Sequence, residues 1–453
     1  MKQRLFGTDG IRGIANQYPI TPELMVKLGR AVTRMLRSDN GPVVRILIGR
    51  DTRISGDMIE CAVASGICSA NGEVSLGGVL PTPAVAHLTV AGGFDAGMMI
   101  SASHNPYHDN GVKIFNSKGF KLSDEQEDDI EALLADNHTT AMNRSDRTDD
   151  IGPVIRMTEP DRVYAAFLRQ TLPKDFSLKG LKVVLDCSNG ATHHVAPRLF
   201  GELGAEVATL FADPDGRNIN ANCGSQHTRT LQEKVLEQGA DIGFAFDGDG
   251  DRLIAVDENG NKTTGDQILA VCAQYLKENG RLENNLVVST VMSNAGLHQA
   301  LKQLNIRHMI AEVGDRYVLE KMRTHGSILG GEDSGHLIFL DVHTSGDGIL
   351  SALRLLQIMR EKQRPLSELV KIMMVYPQVL MNVAVTRKVD LSSIPEIADA
   401  IKAVQSRLKD RGRVLVRYSG TRPLCRVMVE GPDADEIKRY CIELIDVIEN
   451  KLK

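Results

Sequence analysis

The chain has 453 residues, 42% of them hydrophobic and 25% charged, with a formal net charge of −5. Those proportions fit a soluble globular protein of about three domains and exclude nucleic acid and membrane as partners: no block of like charge occurs, aromatics are scarce, and no apolar run is long enough to span a bilayer. The opening Met-Lys-Gln-Arg-Leu-Phe-Gly lacks the apolar stretch of a signal peptide, and seven scattered cysteines without a Cys-x-x-Cys pair point to a reducing cytoplasm with buried, inert thiols.

Strand-like runs alternate with helical ones, the pattern of an α/β protein. Phe6-Gly7-Thr8-Asp9-Gly10-Ile11-Arg12-Gly13 sets one arginine among glycines, which suits an anion, although a tight turn uses the same residues. Thr21-Pro22-Glu23 begins a helix with an N-cap, a first-turn proline and an acid, and Leu24, Leu28, Ala31 and Met35 mark its apolar face. A strand over 43–49 ends in the polar run Arg50-Asp51-Thr52-Arg53. The apolar run 97–100 reads as a buried strand, followed by Ser101-Ala102-Ser103-His104-Asn105-Pro106 and Asp109-Asn110-Gly111-Val112-Lys113. Serine is a weak nucleophile until a base, a cation or a metal activates it. His104 and Lys113 could supply the first two, for either serine; an ordinary turn is the plainer alternative.

The polar, aperiodic stretch 136–152 marks a first boundary, and a helix over 161–172 opens the next unit. Segments 44–56, 181–197 and 286–301 each read as strand, polar turn and helix, a loose self-similarity. Phe246-Asp247-Gly248-Asp249-Gly250-Asp251-Arg252 lies between the apolar runs 242–246 and 253–256. Three carboxylates this close repel one another, and a divalent cation removes that cost. Hard oxygens with positions left for phosphate or water suit Mg²⁺. An EF-hand would need glycine where Arg252 stands; a solvated acidic turn is the other alternative. A turn at 257–261 lies near the second boundary. In Gly331-Glu332-Asp333-Ser334-Gly335-His336, an extended segment would point Glu332 and Ser334 to one side, towards vicinal sugar hydroxyls, with His336 placed to shuttle protons, although another polar turn is the plainer reading of these residues. After a helix over 366–373, the C-terminal unit shows strands at 379–386, 413–417 and 425–430 and helices at 394–408 and 433–452. Arg417-Tyr418-Ser419-Gly420-Thr421-Arg422-Pro423, with Arg426, suits a phosphate cradle, with a solvated basic turn as the alternative. The breaks divide the chain into 1–152, 153–256, 257–373 and 374–453.

These five pieces, in this order, resemble the α-D-phosphohexomutase family along essentially the whole chain. The resemblance implies an α/β architecture of four domains: three related mixed-sheet units and a smaller α+β unit like the TATA-binding protein. It also implies an isomerase that moves phosphate between positions 1 and 6 of a sugar through a phosphoserine. By the same resemblance, Ser103 carries the phosphate, and Asp247, Asp249 and Asp251 hold Mg²⁺ together with a phosphoserine oxygen. Glu332, Ser334 and His336 recognise the sugar, and Arg417, Ser419, Gly420, Thr421 and Arg426 hold the distal phosphate. Arg12, His104, Lys113 and Arg252 match positions that handle phosphate and protons, with Lys113 and His336 the candidate acid and base.

The opening glycine-rich run, Gly314-Asp315-Arg316-Tyr317-Val318 and Thr421 are similar to the bacterial branch that acts on glucosamine phosphates. That branch implies glucosamine 1,6-bisphosphate as intermediate, supply of UDP-N-acetylglucosamine synthesis, a cytoplasmic setting and a homodimer. Arg422 stands where the branch usually carries an acid. A mannose- or glucose-phosphate mutase is the nearest alternative, and a Mg²⁺-dependent sugar phosphatase a more distant one.

Overall fold

The computed structural model describes residues 4–38, 41–135, 151–418 and 424–452; the boundary expected at 136–152 lies almost wholly outside them. Three sheets repeat one arrangement. The first runs Phe6–Gly7, Gly10–Ile14, Asp109–Asn116, Ala96–Ile100, Arg45–Arg50, Glu73–Val79, Val154–Arg156. The second runs Lys262–Thr263, Leu253–Asp257, Ile242–Phe246, Lys182–Asp186, Glu206–Leu210. The third runs Leu337–Phe339, Leu329–Gly331, Leu286–Thr290, Arg307–Ala311.

In each sheet a parallel pair needs a crossover, and the helices Gly56–Ser69, Val195–Glu202 and Ala295–Gln303 supply it in sequence. A third parallel strand then returns antiparallel beside itself: Ala96–Ile100 into Asp109–Asn116, Ile242–Phe246 into Leu253–Asp257, Leu329–Gly331 into Leu337–Phe339. Loops 101–108, 247–252 and 332–336 are therefore the same connection in three copies of one sheet. The strands Ala96–Ile100, Ile242–Phe246, Leu253–Asp257 and Leu286–Thr290 are buried at every position, as strands covered on both faces must be.

The chain forms two compact units, Met1–Val291 with Arg307–Val370, and Met292–Ile306 with Lys371–Lys453. In the second, the antiparallel strands Gln378–Ala384, Leu424–Glu430 and Arg413–Tyr418 share a core with the helices Pro395–Leu408 and Ala434–Leu452, through Ile397, Val404, Val427, Cys441 and Ile448 among others.

Several local expectations shift. Thr21 caps the helix Pro22–Leu36, its Oγ1 accepting from the Leu24 amide at 3.3 Å, but the buried face centres on Met25, Leu28 and Val32 while Leu24 and Met35 are half-buried. The helix expected over 366–373 stops at Leu369 and tightens into a 3₁₀ turn, Val370–Ile372, where two β-branched residues flank Lys371. All seven cysteines are free, but Cys61 is exposed, contrary to expectation, because it falls on the outer stripe Asp57, Cys61, Ser65 and Ser69 of its helix. No helix among the described residues is long and apolar enough to cross a membrane.

Candidate active site

Ser103 turns the chain back from Ala96–Ile100 with a φ of 52°, a left-handed conformation that persists only where the surroundings hold it. Its Oγ donates to Asp247 Oδ2 at 2.6 Å and stands 3.3 Å from His104 Nδ1. Ser101 is occupied elsewhere: its Oγ donates to Asp51 Oδ2 at 2.6 Å and accepts the Ser103 amide at 2.9 Å. Of the loop's two serines, one braces the turn and the other meets the carboxylates.

Asp247, Asp249 and Asp251 converge, with an oxygen of each within 4.8 Å of the others. Gly248 permits the close approach, since a Cβ there would lie 2.6 Å from the Ser103 carbonyl oxygen. Burial, then the charges of Asp251 and Asp249, push the Asp247 carboxyl well above the usual range. Burial would also raise Asp251, but Lys113, His336 and Arg252 outweigh it and hold that group at about 2. Lys113, buried in the strand Asp109–Asn116, places Nζ 2.8 Å from Asp249 Oδ2, 3.1 Å from Asp251 Oδ2 and 3.3 Å from Asp9 Oδ2. Burial disfavours its ammonium, yet these carboxylates raise its pKa well above the usual value. Lys113 therefore stays an ammonium here and cannot accept a proton. Thr82 Oγ1 donates to Asp249 Oδ2 at 2.5 Å, whereas Asp249 Oδ1 and Asp251 Oδ1 are buried with no hydrogen-bond partner. Orphaned hard oxygens of this kind fit a divalent cation such as Mg²⁺.

Arg252 Nη1 donates to His104 Nδ1 at 3.0 Å, leaving the His104 proton on Nε2. Burial, with Arg252 and Arg12 close by, lowers the His104 pKa to about 4, so the ring is neutral at pH 7. Arg12 bonds to Asp9, which also binds Lys121. Burial opposes ionisation of Asp9, but Lys113, Lys121 and Arg12 hold its carboxyl well below the usual range. Lys121 reaches on to Asp315 Oδ2 at 2.5 Å.

Residues 332–336 form a turn, the plainer of the two readings of this stretch, and not an extended segment. The Gly335 amide closes onto the Glu332 carbonyl at 3.0 Å, and Gly335 has a φ of 91°, packed so that a Cβ would strike Leu253 O. Glu332 Oε1 accepts from the Gly314 amide at 3.1 Å, while Asp333 Oδ1 and Ser334 Oγ are buried without partners. His336 bridges to Arg252 through the backbone. Neither of its ring nitrogens has a hydrogen-bond partner, and Nε2 lies 3.6 Å from Asp315 Oδ2 and 3.9 Å from Asp251 Oδ2. A cavity of about 600 Å³ has His336, Asp315 and Lys121 among its lining residues, and none of the three aspartates.

The fold thus gathers Ser103, His104, Lys113, the three aspartates, Arg252 and His336, with Arg12 joined through Asp9 and Glu332 through its turn. Sequence reasoning assigned no role to Asp9, Asp51, Arg53, Thr82, Lys121, Asn220 or Asp315. Asp9, Asp51, Arg53 and Asp315 stood inside polar runs already noticed, whereas Thr82, Lys121 and Asn220 gave no local signal.

In the C-terminal unit, Arg417 lies directly opposite Arg426 in register, with Asn382 opposite Arg426 on the other side. Cys425 and Val427 are buried in the core shared with the helices, so alternation turns Arg426 to the other face. Like charges directly opposed are unfavourable unless an anion lies between them, and Arg426 Nε is buried with no hydrogen-bond partner. Ser419, Gly420 and Thr421 lie outside the described residues.

Profiles of the phosphoglucomutase/phosphomannomutase domains match in the expected order: α/β/α domain I over residues 3–141, domain II over 162–260, domain III over 264–376 and the C-terminal domain over 380–447. The chain belongs to this family. It is 54% identical over 449 residues to the phosphoglucosamine mutase of Syntrophus aciditrophicus, covering 99% of each chain. It is 53% identical over 450 residues to that of Syntrophobacter fumaroxidans, covering 98% of each. Among solved structures, a phosphoglucomutase/phosphomannomutase family protein from Burkholderia thailandensis superposes with a TM-score of 0.80 at 24% identity, over 99% of this chain and 98% of the other. The Aspergillus fumigatus N-acetylphosphoglucosamine mutase, solved with GlcNAc-6P and magnesium, gives 0.67 at 17% identity, over 99% and 96%. At these identities the two structures establish the shared four-domain fold.

Proposed function

We propose that the chain interconverts glucosamine 6-phosphate and glucosamine 1-phosphate through a phosphoserine at Ser103. One observation carries the chemistry: a serine hydroxyl 2.6 Å from Asp247, held in a left-handed turn against three buried carboxylates. The choice of sugar is supported by relatives named phosphoglucosamine mutase that match from end to end.

Phosphoryl transfer is chiefly a matter of positioning and charge neutralisation. Phosphorylated Ser103 gives its phosphoryl group to the O1 of glucosamine 6-phosphate. The resulting glucosamine 1,6-bisphosphate reorients, returns its 6-phosphoryl group to Ser103 and leaves as glucosamine 1-phosphate. Mg²⁺ held by Asp247, Asp249 and Asp251 would neutralise the phosphoryl oxygens when bound. Arg252 and Arg12 add positive charge at the same place, and His104 stays neutral beside the serine. Lys113, held as an ammonium beside the aspartates, adds positive charge where the phosphoryl group is transferred; His336, with unpartnered ring nitrogens, serves as base for the attacking sugar hydroxyl. Glu332 and Ser334 bind sugar hydroxyls. Arg417 and Arg426, with Ser419, Gly420 and Thr421, hold the phosphate that is not reacting. A cytoplasmic setting and a homodimer belong to the same reading.

The test is parallel turnover of glucosamine, mannose and glucose phosphates with hexose 1,6-bisphosphate and Mg²⁺ present, together with mass spectrometry of the purified chain. The expected result is a preference for glucosamine phosphate, phosphate on Ser103 and no turnover by Ser103→Ala. Preference for mannose or glucose phosphate would reassign the sugar, and stoichiometric release of free phosphate would indicate a phosphatase.

A further inference from the structure

We propose that Arg53, together with Asn220 of the second domain, is a positioning residue that holds Ser103 in its left-handed turn whether or not the serine carries phosphate. The proposal rests on the reading of Ser103 as the phosphate carrier. Arg53 is fully buried. A guanidinium has five N–H donors in a fixed fork, and here each has an acceptor. Nε donates to Asp51 Oδ2 at 2.8 Å; Nη1 donates to the carbonyls of Pro106 and, at 3.0 Å, Asp109; Nη2 donates to those of Ser103 at 2.9 Å and Asn105 at 2.8 Å. Asn220 Nδ2 approaches from the second domain and donates to two of the same carbonyls, Ser103 at 2.9 Å and Asn105 at 3.1 Å. Both of these loop carbonyls therefore receive two donors. Because the peptide unit is planar and trans, fixing the Ser103 carbonyl also fixes the direction of the His104 amide.

A turn of this composition needs no buried cation to close. The Asn105 amide already bonds to Ala102 O at 3.1 Å and the Asp109 amide to Pro106 O at 3.1 Å. A buried ion pair is also a poor source of net stability, since desolvation offsets its attraction. What the Arg53–Asp51 pair adds is a single geometry. That geometry is under load in the working protein. A phosphate brings nearly two negative charges to Ser103 Oγ, beside the carboxylate of Asp247, and the repulsion acts on a backbone held at positive φ. With Ser101 bracing the amide and Arg53 and Asn220 bracing the carbonyl, the hydroxyl keeps its place in both charge states.

The experiment compares Arg53→Lys and Asn220→Ala with the unaltered protein, all as full chains with Mg²⁺ and hexose bisphosphate. Lysine keeps the charge facing Asp51 but has three donors on a flexible stem, so it cannot serve the same acceptors. A displacement of about 1 Å costs on the order of 100-fold in rate. Arg53→Lys should therefore lose about that much kcat, with KM nearly unchanged, Ser103 phosphate still detectable by mass spectrometry and its ³¹P resonance broadened. Asn220→Ala should show a smaller loss of the same kind. A merely structural role would lower the melting temperature and leave kcat per folded molecule and the ³¹P line unchanged, and that result would overturn the proposal. If Arg53→Lys does not fold, Asn220→Ala decides alone, and unchanged kcat and ³¹P line width in it refute the clamp. Retained activity in Ser103→Ala would instead refute the phosphoserine reading, whatever Arg53 does.

Discussion

Lys113→Met removes the ammonium that lies 2.8 Å from Asp249 and 3.1 Å from Asp251 while nearly conserving volume, so the cavity contribution is small and the effect is one of charge. Breaking a buried ion pair by deleting one partner costs about 3–5 kcal/mol, because the remaining charge stays buried and unpaired. Asp9 keeps Lys121 and Arg12, and Asp251 keeps His336 and Arg252 nearby, which places the expected loss at the lower end, about 3 kcal/mol. The assay is urea unfolding followed by circular dichroism, with EDTA or with Mg²⁺. In EDTA the variant should unfold at a clearly lower urea concentration. A ligand at 100 times its dissociation constant adds about 2.7 kcal/mol, so saturating Mg²⁺ should return most of the loss. The Mg²⁺ increment should also be larger in the variant than in the unaltered protein, where the ammonium already neutralises part of the charge on the same carboxylates. Unaltered stability of Lys113→Met in EDTA, or equal Mg²⁺ increments in both proteins, would refute the view that Lys113 and a cation share these carboxylates.

Gly346→Ala would put a Cβ 2.3 Å from His336 Nε2; the ring must turn, and kcat should fall at least about tenfold with a stability loss of about 1–3 kcal/mol. Unchanged kcat would remove His336 from the chemistry. Burial, with His87 adjacent, lowers His343 to about 4, below its unfolded value of about 6.5. The unfolded chain therefore takes up the proton first, and stability should drop as pH falls from 6.5 to about 4, by up to about 3 kcal/mol from this group, and level off below that. His343→Gln should flatten the slope of melting temperature against pH over that window, and an undiminished slope would contradict the assignment. Arg426→Ala should raise KM for the phosphosugar about tenfold or more with little change in kcat, and weaken the salt dependence of KM; an unchanged KM would remove the anion cradle.

Much of this was legible in the sequence where the chemistry is local. The cap at Thr21, the wholly apolar strands and the Asp-Gly alternation at 247–251 each announce their structure within a few residues, because capping, double-sided burial and carboxylate crowding are short-range effects. The choice between Ser101 and Ser103 is not short-range. It is made by Asp51, which comes from a neighbouring strand end and takes up the Ser101 hydroxyl, so the residues of the loop alone left both open. Whether 332–336 is a turn or an extended segment is likewise left open by the sequence, because its bend depends on Gly335 fitting against the Leu253 carbonyl, a contact with another domain. Lys121 and Asn220 were invisible for the same reason: each is a single polar residue whose partners lie far away in sequence.

The faintness of the internal repeat has a physical cause in this arrangement. Core strands covered on both faces tolerate any apolar residue of suitable volume, so three copies can keep one sheet while their identities drift apart. The loops that carry chemistry, 101–108, 247–252 and 332–336, differ in composition, and the self-similarity visible in the sequence lies in the strand, polar turn and helix that precede them. Those polar turns are not idle remnants. In the first sheet, Arg45–Arg50 lies beside Ala96–Ile100, so the turn after it places Asp51 and Arg53 against the serine loop. In the second, Lys182–Asp186 lies beside Ile242–Phe246, and the turn after it bonds Ala191 N to Gly248 O at 2.8 Å, bracing the aspartate loop. The two bracing turns also meet, Thr52 Oγ1 donating to Asn189 O at 2.5 Å. A parallel neighbour that ends level with the reactive strand necessarily delivers its own turn to the reactive loop. In these two sheets, Asp51 and Arg53 beside the serine loop and Ala191 beside the aspartate loop are therefore found one strand over, in turns that sequence alone reads as punctuation.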